Sequence, residues 1–485
     1  MRKIELLAPA GNLNKLFTAF HFGADAAYIG GGNFSLRAFA DNFSLDDMKI
    51  GADFAHAAGK KIFVALNAFP RSREFGAIRE YLVELRGIGA DAVIVSDPGV
   101  LNTVLKYTPE LPVHISTQAN TVNAEAVGFY AGLGVKRVVL ARELSLDEIR
   151  EIRDAVPGVE LECFVHGAMC ISYSGRCLLS NYFTGRDSNR GECVQACRWK
   201  YRVKRREIRD GEDSIDACGD AVFERRKNAD SADAGAASLP AFLLNGGEYP
   251  IGEVSGDGFC GVLTEDERGT YILNGKDLRM IEHLDKLIDA GVDSFKIEGR
   301  MKSEYYVACA VNAYRRALDA YLCGGDPDLG AEARLPRDRA DAKRDKIGNF
   351  VRAARLLSAE LEKIGNRGYT TGFYLGENDH INTDSSRTAG GNAFIASVSG
   401  YDENRGALVV EQRNRFKRGD VLEALSCGGN FLKTLTVGDM YGENGELIED
   451  AKIVMQKIYL KTDLRLDRFD ILREFKGEQT ADRGG

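Results

Sequence analysis

Short apolar, β-branched runs recur along the first third of the chain and alternate with stretches of helical periodicity. The runs are Ile4–Leu7, Ala27–Ile29, Ile62–Leu66, Ala92–Val95, Val113–Ser116, Arg137–Leu140 and Leu161–Val165. Helical patterns lie between them, among them Leu45–Ala58 and Leu146–Ala155. Ser145 with Glu148 three residues on forms a capping-box signature ahead of the second of these. Strand–helix alternation of this kind predicts parallel strands joined by right-handed crossovers. An eighth strand–helix pair comes much later. KDLRMIEHLDKLIDAG carries Leu278, Ile281, Leu284, Leu287 and Ile288 on one helical face, with Gly291 to end it. The strand Ser294–Ile297 and a helix over Ser303–Tyr321 follow. Eight such pairs predict an α/β fold, a (β/α)8 TIM-like barrel, with a doubly wound open sheet as the alternative.

The remaining pattern divides the chain. Residues 1–325 make the barrel, broken at about 202–268 by a charged, small-residue-rich stretch that reads as an irregular insertion. Residues 326–390 read as a linker and a helical segment, the charged part being Gly325–Lys346. From Gly391 short β runs alternate with Gly, Asn and Asp turns, which predicts a small C-terminal β-barrel domain over 391–475.

Composition adds limits. Hydrophobic residues make up 44% and charged residues 28%, which suits a globular chain with a large core. No run of 18 apolar residues occurs, and the apolar stretch after Met1 is too short for an export signal, so a cytoplasmic protein without membrane contact is expected. The net charge of -8 excludes a uniformly basic surface. It leaves local basic clusters at Lys200–Arg206 and Arg413–Arg418 that fit either a solvated face or contact with RNA.

If the fold is a barrel, chemistry belongs at the C-terminal ends of its strands. Asn67, Asp97, Gln118, Asn120, Arg142, Glu143, His166, Glu298 and Arg300 fall there. Helix capping explains Asp97 well and the Arg142–Glu143 and Glu298–Arg300 pairs less well. Gly30–Asn33 reads weakly as a phosphate cradle. The densest chemistry is the run that holds Cys170, Cys177, Cys193 and Cys197, spaced C-x6-C, fifteen residues, then C-x3-C. Zinc sites usually show C-x2-C pairs, so this spacing fits them less well than an iron–sulfur cluster. A Cys170 nucleophile paired with His166 is a further alternative, although it leaves the other thiols unexplained. His166 fits equally well as a buried, hydrogen-bonded side chain. Cys163, Cys309 and Cys323 read as small core residues.

ECFVHGAMCISYSGRCLLS, with ELLAPAGN, GADAAYIGG, ISTQAN, RVVLAREL, GECVQACRWKY, SFKIEGRMKSEYYVA, NRGYTTGF and FDILRE, closely resembles the collagenase-like peptidase family, the thirty-second of unassigned catalytic type. The matched segments cover most of the chain in order. Despite the family's name, the branch this chain looks most like is linked to prephenate-dependent hydroxylation of the tRNA wobble uridine to 5-hydroxyuridine. The resemblance implies a 4Fe-4S iron–sulfur cluster on Cys170, Cys177 and Cys193, with Cys197, Cys218 or Cys260 as fourth ligand, or a cluster left incomplete. Relatives of this branch often carry a cysteine where this chain has Arg279. It also implies tRNA and a small anionic co-substrate such as prephenate as partners, besides other RNA-modification proteins. Arg142, Arg300 and Arg37 are then candidates for carboxylate binding, with Glu143 and Glu298 as competing partners. His166, Arg142, Glu298 and Arg300 form the candidate catalytic set. Collagenase-like proteolysis and non-catalytic RNA binding are the alternatives, yet the sequence has neither an HExxH helix nor a GxSxG elbow.

Overall fold

A computed structural model describes residues 3–32, 34–35, 42–170, 172–173, 176–177, 179–184, 186, 188, 193–198, 247–252, 260–265, 274–323, 339–376 and 391–477. Eight strands close a ring: β1 (Glu5–Pro9), β2 (Ala26–Ile29), β3 (Lys61–Leu66), β4 (Ala92–Val95), β5 (Val113–Ile115), β6 (Arg137–Val139), β7 (Glu160–Ala168) and β8 (Ser294–Ile297). Neighbours are parallel throughout, and β8 pairs with both β1 and β7, so the open-sheet alternative falls away.

Local chemistry sets the helices between the strands. Asn12, Ser44, Asp97, Asn123 and Ser145 each accept a backbone N–H three residues on, at the starts of the helices Leu13–His21, Leu45–Ala57, Pro98–Tyr107, Ala124–Gly132 and Leu146–Ala155. The Ser145–Glu148 capping box forms as predicted. Asp97 is a cap, with Pro98 in the first helical turn. Apolar faces of these helices and the outward residues of the strands merge into one core, and Leu7, Ala26, Tyr28, Phe63, Ala92 and Ile94 form a second.

Three sequence expectations need correction. The amphipathic run before Gly291 is a helix only over Leu284–Asp289; Asp277–Arg279 is a strand antiparallel to β7. That strand satisfies backbone groups at the top of β7, with Met280 N–H donating to Val165 O, and the buried Arg367 guanidinium holds Asp277. The helical segment expected within 326–390 is present over Arg339–Glu362, but it starts inside the charged stretch Gly325–Lys346 that reads as linker; 324–338 lie outside the described residues. The insertion is not wholly irregular either, because Gly247–Gly252 and Cys260–Glu265 pair as an antiparallel ladder. They belong to a compact unit of their own, Cys197–Asn274 with Ile381–Ser386.

The barrel and the C-terminal region share the other compact unit. That region is an eight-stranded antiparallel sheet curled around Val398, Val410, Leu422, Leu460 and Leu472. Arg473 in its last strand is fully buried and ion-paired with Glu360 of the Arg339–Glu362 helix and with Glu423 of a neighbouring strand. No described helix is long and apolar enough to cross a membrane.

Candidate functional site

Successive strand residues point to opposite sides, so alternate positions line the barrel interior. On β7 these are Glu162 and Phe164, and on β8 Ser294 and Lys296. An unusual polar layer results. Arg137 Nη1 donates to Glu162 Oε2 at 2.8 Å and to Ser294 Oγ at 3.2 Å. Lys296 Nζ donates to Glu162 Oε1 at 2.8 Å. Arg137 also reaches Glu5 and Glu160 at the lower rim. Burial would raise the Glu162 carboxyl, but Lys296 and then Arg137 outweigh it and hold it down at about 2. Burial, followed by Arg137, drives His114 well below its ordinary range, so this histidine is neutral beside the layer.

Above this floor the barrel opens into a cleft of about 460 Å³, counting the part open to solvent. Tyr28, Asn67, Gln118, Lys296, Glu298 and Arg300 are among its lining residues. The Lys296 ammonium lies 4.6 Å from the Tyr28 ring centroid and 5.5 Å from that of Phe164. Asn67 Nδ2 donates to Gln118 Oε1 at 3.0 Å across the mouth. Arg300 is 4% exposed and donates from Nη2 to Ser35 Oγ at 3.2 Å. Gly30 gives that guanidinium its place, since a Cβ there would stand 2.0 Å from Arg300 Nη1. A Cβ on Gly31 would likewise meet the Tyr81 hydroxyl at 2.3 Å. Gly30 and Gly31 therefore make room for two side chains, whereas a Cβ on Gly32 would meet nothing within 4 Å. Arg37 lies outside the described residues.

Arg142 is committed elsewhere. Its Nη1 donates to Ala168 O at 2.7 Å, its Nη2 sits 3.5 Å from Glu298 Oε2, and its guanidinium lies 3.9 Å from the Phe164 ring centroid. These contacts set Arg142 beside Glu298, which lines the cleft, while Arg142 itself is not among the lining residues. His166 is also misassigned as a cleft residue. A register shift between Lys296 and Ile297 sets His166 opposite Ile297, so the alternation slips by one and the ring turns outward. There it packs among Tyr306, Tyr314 and Tyr369 at 5.4–5.8 Å. Burial, then Arg279, pushes it down to about 3, which keeps it neutral. Lys296 escaped the sequence reading, although a lysine within the apolar strand SFKI was a usable signal.

The cysteine run leaves the top of β7. Cys170 is exposed two residues past that strand. Arg176, next to Cys177, donates to Asn120 Oδ1 at 2.8 Å and lies 5.8 Å from the Phe69 ring, which ties the loop to the β3 and β5 ends of the mouth. Ser188 Oγ donates to Cys177 O at 2.5 Å, and Val194 N–H donates to Ser180 Oγ at 3.2 Å. These bonds fold the Cys193 segment back against the helix Leu179–Thr184, which begins two residues after Cys177. Gln195, in the left-handed region at φ 58, donates its N–H to Cys193 Sγ at 3.4 Å. Cys197 starts the second compact unit, in a 3-10 turn. All four cysteines are unbridged. Among the described residues no three of their sulfurs lie within 4.8 Å of one another. A single tetrahedral zinc ion would hold sulfurs about 3.8 Å apart. Cys163 and Cys309 are buried as expected, but Cys323 is exposed. Arg279, where relatives often carry cysteine, pairs with Glu282 and Glu362.

A closed β/α barrel with a cationic cleft at its C-terminal mouth, a thiol-bearing loop above it and an antiparallel β domain following it in the chain defines the class of protein. Residues 11–384 match Peptidase family U32, and residues 391–473 match the Peptidase family U32 C-terminal domain. The chain belongs to peptidase family U32. It is 37% identical over 496 residues to the tRNA hydroxylation protein P of Escherichia coli (strain K12), covering 100% of both chains. With the tRNA hydroxylation protein P1 of Bacillus subtilis (strain 168) it shares 35% over 480 residues, 98% of this chain and 96% of that one. A protein named Collagenase from Porphyromonas gingivalis is 30% identical over 386 residues, 77% of this chain and 74% of that one.

Proposed function

We propose that this protein hydroxylates tRNA, with the wobble uridine as target, a prephenate-like anion as co-substrate and a 4Fe-4S cluster as cofactor. The full-length similarity to the tRNA hydroxylation proteins carries the reaction class. The cationic cleft beneath the cysteine loop supports the rest. Cys170, Cys177 and Cys193, with Cys197 as fourth ligand, would hold the cluster. Soft thiolate donors and an N–H bond to a ligand sulfur fit such a group. When bound, the cluster supplies one-electron chemistry.

The chain's own residues do the remainder. Arg300 at the cleft wall takes a carboxylate, and Lys296 adds positive charge from below. Asn67 and Gln118 present amide groups to the rest of the anion. Arg142 fixes Glu298 so that its carboxylate stays aimed at the cleft. Arg415, paired with Asp450, and Arg418, paired with Asp439 and Glu449, are exposed at 70% and 54% and offer phosphate contacts in exchange for those partners, whereas Arg413, tied to Glu304 and Glu411, is only 21% exposed. Lys200–Arg206, the other basic cluster, lies outside the described residues. Proteolysis finds little support at this site. The histidine that a Cys170 nucleophile would require is His166, which is buried among tyrosines and turned away from the cleft.

Deleting the gene in its host and measuring 5-hydroxyuridine in tRNA by mass spectrometry tests the reading. Loss of the nucleoside is the expected result; unchanged levels in a strain without a second relative would refute it. A finer test uses Gly30→Ala. The added methyl displaces the Arg300 guanidinium, so KM for the anionic co-substrate should rise roughly tenfold, a loss of about 1.4 kcal/mol, while the melting temperature stays close to that of the parent. A KM unchanged within twofold would remove Arg300 from the anion site.

A further inference from the structure

Away from the cleft, three side chains from distant parts of the sequence converge. His21 is the last residue of the helix Leu13–His21, Cys427 follows the strand Val421–Leu425, and Asp470 precedes the strand Ile471–Glu474. His21 Nε2 lies 2.7 Å from Asp470 Oδ1 and 3.6 Å from Cys427 Sγ, and the three atoms lie within 4.8 Å of one another. We propose that His21, Cys427 and Asp470 form a zinc-class metal site that fastens the first barrel helix to the C-terminal sheet.

The geometry separates this from a catalytic relay. In a relay the imidazole uses one nitrogen for the thiol and the other for the carboxylate. Here the thiol and the carboxylate both face Nε2. Three donor atoms gathered within 4.8 Å of one another are what a metal ion could draw together. The donor set is a thiolate, an imidazole and a carboxylate, which suits zinc and cobalt and is a poor match for magnesium or calcium. Two negative ligands balance a divalent charge. The solvent-facing side at Cys427 leaves room for water as a fourth ligand.

The supporting shell is already in place. Arg316 Nη2 donates to the carbonyls of Ser426, Cys427 and Gly428 at 2.9–3.1 Å, and its guanidinium lies 4.4 Å from the Phe431 ring. The turn that carries the sulfur is thereby fixed. Asp470 is fully buried, and its second oxygen accepts the Asp467 N–H at 3.1 Å, which orients the first toward His21. Phe469, just before it, is held in the left-handed region at φ 77. Phe22 and Phe469 rings stand 5.0 and 6.1 Å from the imidazole and give the site an apolar wall.

The test uses the full chain, stripped with a chelator under anaerobic conditions and then titrated with Co²⁺ or Zn²⁺. Metal per chain is read by mass spectrometry, thiolate-to-cobalt charge transfer by absorption, and melting temperature with and without zinc. Cys427→Ser changes a solvent-facing atom, and His21→Gln leaves the thiol in place. Both variants should bind one equivalent less than the parent, or bind it more than tenfold more weakly, and both should lose the part of the zinc-dependent rise in melting temperature that belongs to this site. Ions held by the Cys170 loop are common to all three proteins and cancel in the difference. Equal stoichiometry and affinity in the parent and Cys427→Ser would overturn the proposal. So would loss in Cys427→Ser with retention in His21→Gln, which would mark a thiol acting alone.

Discussion

Glu162→Gln is expected to destabilise the barrel by about 3–5 kcal/mol, seen as a lower urea midpoint. The carboxylate is fully buried and is the shared partner of Arg137 and Lys296. An amide would leave two cations in the barrel interior, and Arg137 would keep only its partners at the lower rim. Glu160→Gln is the matched control. It removes another carboxylate from the same arginine, but one whose side chain is 53% exposed, so the loss should stay below about 1 kcal/mol. Similar losses from the two variants would refute the account. The same pairing fixes a pH dependence. The Glu162 carboxyl sits at about 2 in the folded protein, below the ordinary glutamate value of roughly 4.3. Its contribution to stability is therefore present above about pH 4 and is lost as pH falls through about 2. Glu162→Gln should accordingly flatten the acid limb of the stability profile over that interval.

How much of this could be read from sequence depends on whether the signal was local. Strands such as Ile62–Leu66 and caps such as Asp97 and Ser145 announce themselves within a few residues, so the barrel was legible. Arg300 and Glu298 were legible as well, because a strand end fixes where they point. His166 was not. Its outward turn comes from a register slip against β8, more than 100 residues later in the chain, and two-residue alternation within β7 predicts the opposite face. The role of Gly30 was hidden for the same reason, since the guanidinium it accommodates arrives from residue 300. Lys296 could have been found by asking why a charged residue interrupts an apolar strand. The His21–Cys427–Asp470 cluster had no local pattern at all, its members being separated by 406 and 449 residues from His21.

Cys177→Ser and Cys193→Ser are each expected to lower tRNA hydroxylation by more than about 100-fold, because loss of a ligand should weaken metal binding at least as much as loss of its orienting partner, which alone costs roughly 10–100-fold. Anaerobically purified variants should also lose iron and sulfide relative to the parent. Cys323→Ser is the control for thiol loss as such, since Cys323 is exposed on a helix end and outside the loop; it should leave both activity and iron intact. Arg176 anchors Cys177 to the barrel mouth, and the Gln195 N–H bonds to the Cys193 sulfur. Serine keeps the size but offers a hydroxyl that does not ionise near neutral pH. Cys197→Ser then decides the ligand set. Loss of iron equal to that in Cys177→Ser assigns Cys197 as the fourth ligand, whereas full retention moves that role to Cys218 or Cys260. Variants at Cys177 and Cys193 that keep both iron and hydroxylation would refute the cluster reading while leaving the anion cleft, with Arg300 and Lys296, to be judged by Gly30→Ala alone.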